Sequence, residues 1–164
     1  MIQRKQTLYL LIASLFAFVY LFTNPAISEV VGRMKGSDKI ETLKISYRTT
    51  EFVSADNTVQ VVNSSNSYLI FTLSIIGVFG LAAIFLFNKR KLQLRFASYL
   101  FMFDLLLFFM IYYHTNLGVK VFENSEIHWQ IAAFMPLILP VLHFLALRGI
   151  VHDIKLLKSV DRLR

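Results

Sequence analysis

Four stretches of this chain are apolar for long enough to cross a lipid bilayer, and no other feature restricts its fold as much. They run from about residue 7 to 23, 68 to 87, 97 to 113 and 129 to 147. Seventeen helical residues at 1.5 Å each span about 26 Å, near the hydrocarbon thickness of a bilayer. A soluble core would instead show shorter, interrupted apolar runs. Of the 164 residues, 56% are hydrophobic and only 16% are charged, against roughly a quarter charged in a soluble domain. The length suits a single membrane domain covering residues 1–164. The expected fold is all-α, a four-transmembrane-helix bundle. A small β-rich extracytoplasmic loop, 24–66, joins helices one and two, and a short amphipathic helix forms the C-terminal tail, 148–164.

The chain has no cysteine, which excludes disulfides, thiolate catalysis and Cys-based zinc or iron–sulfur sites. Its formal charge is +7. The Lys and Arg residues lie beside the apolar segments, where they hold helix ends against anionic lipid headgroups. The basic balance therefore points to the lipid bilayer as partner and away from nucleic acid.

The first segment follows Arg4 and Lys5 and stops at Asn24 and Pro25, since proline cannot continue a helical ladder. This start also resembles a signal peptide, with small residues at Ala26 and Ser28. The run is long for such a segment and carries bulky Phe16, Phe18, Tyr20 and Phe22, so a retained helix is expected. In the loop that follows, Leu43, Ile45 and Tyr47 alternate with polar residues at strand period. Residues 52–54 and 58–62 are β-rich as well, and 55–57 read as the turn between them. A small ribbon or sheet outside the bilayer is expected there, with 63–67 as a polar linker.

In the second span Ser74, Gly77, Gly80 and Ala83 recur every third residue. Small residues at this spacing form a groove that admits a second helix. Lys89, Arg90, Lys91 and Arg95 then make a short loop basic, with no acid. Trp129 opens the fourth span and Arg148 closes it. Beyond it Ile150, Ile154 and Leu157 keep helical spacing beside Lys155, Lys158, Arg162 and Arg164, the pattern of a helix lying on a membrane surface.

Positive charge in short loops marks the cytoplasmic side. By that rule both termini and the 88–96 loop face the cytoplasm. The 24–66 and 114–128 loops face outward, and Tyr112, Tyr113 and Trp129 form an aromatic belt at the outer interface.

The two ends of the chain, MIQRKQTLYLL and ALRGIVHDIKLLKSVDRLR, resemble a family of small membrane proteins from Bacteroidota, domain-of-unknown-function family 4293. The resemblance runs over the whole length, and the end motif is its more specific part. It implies four helices, a variable first outer loop and the inner membrane of a Gram-negative bacterium. It implies no activity, cofactor or catalytic residue.

Asp104 is the most informative single residue. An ionised carboxylate in mid-helix costs about 2.5–3.5 kcal/mol on insertion scales, so a partner, a proton or water must compensate it. His143 is the natural partner. The two residues lie about 10 Å and about 7 Å from the basic ends of their helices, a similar depth if those helices are antiparallel neighbours. The pair reads either as a proton-binding or catalytic site, or as a structural hydrogen bond; Asp104 reaching toward Arg95 is the further structural option.

Pro136 and Pro140 predict a kink in span four. Kinks of this kind occur in transporters and in membrane helices generally. His114, Glu123, Glu126 and His128 fit no metal-binding spacing, and no nucleotide-binding or hydrolase motif is present. The function expected is that of a non-catalytic structural or accessory subunit without a cofactor, docking a membrane protein through loop 24–66 or tail 148–164. The alternatives are a small transporter or proton-coupled channel using Asp104 and His143, and an intramembrane lipid-modifying enzyme.

Overall fold

The computed structural model describes residues 5–34, 39–54, 58–63 and 66–161; Arg4, the expected turn at 55–57, Arg162 and Arg164 lie outside the described residues. Four helices are long and apolar enough to cross a membrane. Helix α1 is Lys5–Thr23, α2 is Ser67–Phe85, α3 is Arg90–Val119, and the fourth runs from the single turn α4 (Ile131–Phe134) into α5 (Ile138–Asp161). The long helices form a ring in which α1 packs on α2, α2 on α3, α3 on α5, and α5 on α1. At most 39% of each apolar window is buried. The remainder forms an outward girdle that includes Phe22, Phe71, Phe85, Met102 and Phe109, all more than 60% exposed. An apolar surface of that extent requires a nonaqueous neighbour.

The expectation of an all-α bundle with a small β-rich loop is corrected here. The outer segments build one five-stranded antiparallel sheet in the order β4-β3-β2-β1-β5. Its strands are Ala26–Met34, Ile40–Ser46, Thr50–Val53, Val59–Asn63 and Phe122–Trp129, numbered in chain order. The second outer segment supplies β5, which pairs with β1. Alternation exposed β2, β3 and β4 in the sequence, and the Ser54 N–H donates to the Thr58 carbonyl between the last two. In β5 it could not, because Phe122, Ser125 and Ile127 sit among exposed polar residues and only one side of the strand is covered. An edge strand that buries little leaves little periodic signal. The pairing is fixed by shape instead. Gly32 of β1 lies so close to Phe122 that an added methyl would fall 2.6 Å from its Cβ. Asn124 takes a left-handed φ of 51° where the β1–β5 register shifts, the geometry of a bulge.

The helix ends also differ from those expected. Helix α3 begins at Arg90 and continues to Val119. Its 30 residues reach about 45 Å at 1.5 Å each, well beyond the hydrocarbon thickness. The added turns carry Gly118 into the inner face of the sheet, against Val30, Leu43 and Ile45. Trp129 ends β5 and does not open the fourth span. Pro136 lies in a 3-10 turn between α4 and α5, and Pro140 in the first turn of α5, where its missing N–H leaves no ladder bond unmade. The two prolines thus divide the fourth helix near the sheet. Among the described residues the expected amphipathic tail helix is not separate, because α5 continues through Arg148 to Asp161.

The small-residue stripe of α2 faces α1. The Gly77 backbone lies under the Phe18 ring, and a methyl on Gly80 would fall 2.2 Å from Ser14 Oγ. Ala83 is fully buried, while Ser74 is half-buried and donates to its own helix at the Ile70 carbonyl, 2.7 Å away. Replacing Gly80 with Ala should therefore destabilise the bundle by about 1–3 kcal/mol through overpacking, read as a lower melting temperature in detergent. Adding Ser14→Ala should recover most of that loss, because the hydroxyl is the obstructing group; an unrelieved double variant would show that this contact is not the constraint.

Candidate functional site

Two polar constellations lie inside this fold. The deeper one joins α3 to α5. His143 Nδ1 and Asp104 Oδ2 are 2.6 Å apart and share a hydrogen bond. Asp104 is 1% exposed and His143 0%. Helical spacing explains the meeting. Asp104 lies one turn from Leu100 and from Leu107 on the buried stripe of α3, and His143 lies one turn from Leu139 and from Ala146 on that of α5. Leu100 and Ala146 belong to a small apolar cluster near the basic end, with Leu10 and Ala83. Leu107 and Leu139 belong to the larger cluster that extends to the sheet. The pair occupies the junction of the two clusters. Its outward atoms, Asp104 Oδ1 and His143 Nε2, have no hydrogen-bond partner.

The hydrogen bond between them offsets part of the penalty an isolated ion would bear in an apolar interior. An apolar cleft of about 280 Å³ lies on the α2–α3 side, bounded by Ile75, Phe79, Phe96, Tyr99, Leu100 and Phe103. Neither Asp104 nor His143 lines it.

The second constellation seats the sheet on the helices. The turn after β2 is held from both sides. Asn24, in left-handed conformation with φ 47°, ends α1; its Oδ1 accepts from the Arg48 N–H at 2.7 Å and its Nδ2 donates to Thr49 Oγ1 at 3.2 Å. Asn66, fully buried just before α2, donates from its backbone N–H to the Arg48 carbonyl and from Nδ2 to the Ser46 carbonyl, both at 2.7 Å. Thr50 donates to Asn66 Oδ1 at 3.2 Å. Between these supports Tyr47 is fully buried. Its ring meets Tyr20 edge-on at 5.1 Å and its hydroxyl donates to the Ala132 carbonyl at 3.0 Å. Burial, and then the neighbouring Tyr20, hold the Tyr47 phenol well above the usual tyrosine range. On α3, Thr115 exchanges a buried hydrogen bond with Ser28 at 2.9 Å, and His114 bonds Thr50 and Tyr68 through its two ring nitrogens.

Sequence reasoning found the deep pair through its cost but missed this seat. Asn24 and Asn66 read as a helix stop and a linker residue, and Tyr47 as one position of an alternating strand. Each acts through backbone groups of residues distant in the chain, which spacing does not encode. His114, placed by the sequence in the outward 114–128 loop, is half-buried in α3 and engaged on both nitrogens, whereas His128 is exposed and lies 4.0 Å from Glu126. Among the described residues no three His, Asp or Glu side chains come close enough to hold a metal.

At the other end of the bundle Lys89 precedes α3 and Arg90 opens it, 3.4 Å from Asp153 of α5. Asp153 also accepts from Gln6 of α1 at 3.1 Å. Gln93 donates to the Ala83 carbonyl at 3.0 Å, covering the end of α2. Lys91, Arg95 and Arg148 are exposed. Trp129, 39% exposed, lies at the sheet end beside Phe134. Every functional residue proposed from the sequence is thus placed, and Asp104 with His143 is the pair brought into contact.

A family model for a domain of unknown function (DUF4293) matches residues 2–163. The chain belongs to this family. The match covers the residues of the sheet as well as those of the helices. No curated protein matches the chain. Membership in DUF4293 brings no reaction with it, and the functional reading rests on the residues above.

Replacing Asp104 alone with Leu should cost about 3–5 kcal/mol, because it strands a buried imidazole. The double change Asp104→Leu with His143→Leu should recover a large part of that in thermal unfolding. If the two single losses simply add, the pair is not coupled.

Proposed function

We propose that this chain is a non-catalytic accessory protein of a bacterial inner membrane, whose sheet docks a partner on the outer side. The observation carrying this reading is the closure of the Asp104–His143 pair. Both residues are at most 1% exposed and are packed between two apolar clusters, the surroundings of a structural clamp. A transport path or a lipid-cleaving centre would need that pair to meet water or substrate.

The sheet has the opposite character. Its inner face covers the helix ends with Val30, Leu43 and Ile45. Alternation turns Glu29, Lys44 and Glu51 to the other face, in register with one another and with His128. Opposite charges thus alternate across three strands, β1, β2 and β3, which suits a solvated platform. Strands β4 and β5 are the sheet's edges, and β5 displays exposed Glu123 and Glu126. Backbone groups at the β5 edge, flanked by those acids, support docking of an extended segment of a basic partner.

The orientation follows the charge pattern. Lys89, Arg90, Lys91, Arg95 and Arg148 gather at the end opposite the sheet, and basic ends stay in the cytoplasm. The start of α1 and the end of α5 lie at that same end of the bundle.

Full-length protein carrying a tag and purified in mild detergent is expected to bring down a partner in stoichiometric amount. Glu123→Lys with Glu126→Lys should abolish recovery without lowering the melting temperature. A protein that always purifies alone would defeat the accessory reading.

Orientation has its own test, made simple by the absence of native cysteine. In cells with a permeabilised outer membrane, an impermeant maleimide should label Glu126→Cys at once. It should label Lys91→Cys only after the inner membrane is broken. The reverse order would place the sheet in the cytoplasm.

A further inference from the structure

At the end opposite the sheet, the 88–95 segment and the last turns of α5 enclose a groove of about 530 Å³. Its floor is apolar, built from Leu92, Ile154 and Leu157, and its rim carries Lys89, Lys91, Arg95 and Lys158. Arg90 also lines it but is held by Asp153 at 3.4 Å. None of the four rim cations has a carboxylate partner among the described residues. Asp153, the nearby acid, is already engaged by Gln6 and Arg90. The groove therefore concentrates positive charge that no described side chain neutralises.

We infer that this groove binds the headgroup of one anionic phospholipid. Three observations choose this occupant. The rim offers four flexible or forked donors to a phosphate, whose oxygens accept charge-assisted hydrogen bonds. The floor is apolar, which suits the glycerol and first methylenes of a lipid better than a fully hydrated ion. The groove also lies where the apolar girdle gives way to the basic segment, and Leu157, which lines it, is 47% exposed. Headgroups lie at that level, and acyl chains can run on along the helices. A volume of this size is in the range of small-molecule sites. Two elements distant in sequence form it, α3 at its start and α5 at its end, so a bound lipid bridges them and ties the α5 extension to the bundle. This inference is independent of the docking role proposed for the sheet, since it concerns the opposite end and needs no partner protein.

Full-length protein in nonionic detergent, examined by native mass spectrometry with added dioleoyl phosphatidylglycerol or dioleoyl phosphatidylcholine, tests it. The expected result is one phosphatidylglycerol per chain, preferred at least tenfold over phosphatidylcholine. Lys91→Gln, Arg95→Gln and Lys158→Gln together should reduce that adduct at least tenfold, whereas Lys91→Arg, Arg95→Lys and Lys158→Arg together should keep it. If the neutralised triple variant proves unstable, Lys158→Glu alone, at an exposed site near the chain's end, should still weaken the adduct severalfold. Equal retention of the two lipids overturns the inference, as does a neutralised groove that binds as the original does. Displacement of the lipid by millimolar inorganic phosphate would assign the groove to a free anion and overturn it equally.

Discussion

The architecture depends on one constraint: the helices' outer surface is apolar nearly all round, so polar groups must be satisfied inside the bundle or at its ends. In hydrocarbon no water replaces a missing hydrogen-bond partner. The structure obeys this in layers. Ser14, Thr72 and Ser74 return their hydroxyl protons to carbonyls four residues earlier on their own helices. Asp104 and His143 meet each other. The remaining polar side chains gather at two ends, one covered by the sheet and the other held by Gln6, Arg90, Gln93 and Asp153. The middle is left to close packing, with Gly77 and Gly80 letting α1 approach α2.

The sheet is joined to the helices through backbone groups at their ends. A helix terminus leaves carbonyl and N–H groups without intrahelical partners, and here these ends coincide with the turn after β2. Asn24 from α1 and Asn66 from α2 grip that turn, and Tyr47 fills the space between and reaches the Ala132 carbonyl beyond β5. The helices thus position the sheet, and the sheet covers the helix ends. A rigid outward platform follows from this mutual dependence, and the docking role proposed for the sheet draws on that rigidity. Asp104 and His143 serve stability on this reading. Their two unpartnered atoms, Asp104 Oδ1 and His143 Nε2, are a residual cost of a pair buried between apolar layers.

Legibility in the sequence followed the strength of the local signal. Four apolar runs of bilayer length allow one kind of element, so the spans were legible, although α3 ran past both expected ends because amphiphilic turns such as 90–96 and 114–119 are helical for tertiary reasons. Asp104 was legible because a carboxylate in an apolar run is expensive wherever it points, and a depth argument sufficed to suggest His143. Strands β2 to β4 were legible through alternation. Strand β5 was not, since an edge strand that buries little beyond Phe122 leaves a weak period, and its partner β1 lies about a hundred residues earlier in the chain. The amphipathic tail was legible as a helix but not as a continuation of α5, because Arg148 and Gly149 read as a boundary. Gly149 in fact packs against Gln6 of α1.

By itself the sequence determined the number of helices long and apolar enough to cross a membrane and the asymmetry of charge between their ends, because hydropathy and charge are summed over local windows and need no partner. Only the tertiary structure decided that two separate outer segments make one sheet, that Tyr47 is the residue on which it is seated, that Asp104 finds His143, and that the basic residues beside α3 and α5 enclose a groove. Each of these depends on which residues distant in the chain share a surface. Close packing and directional hydrogen bonds settle that only once the helices have found one another.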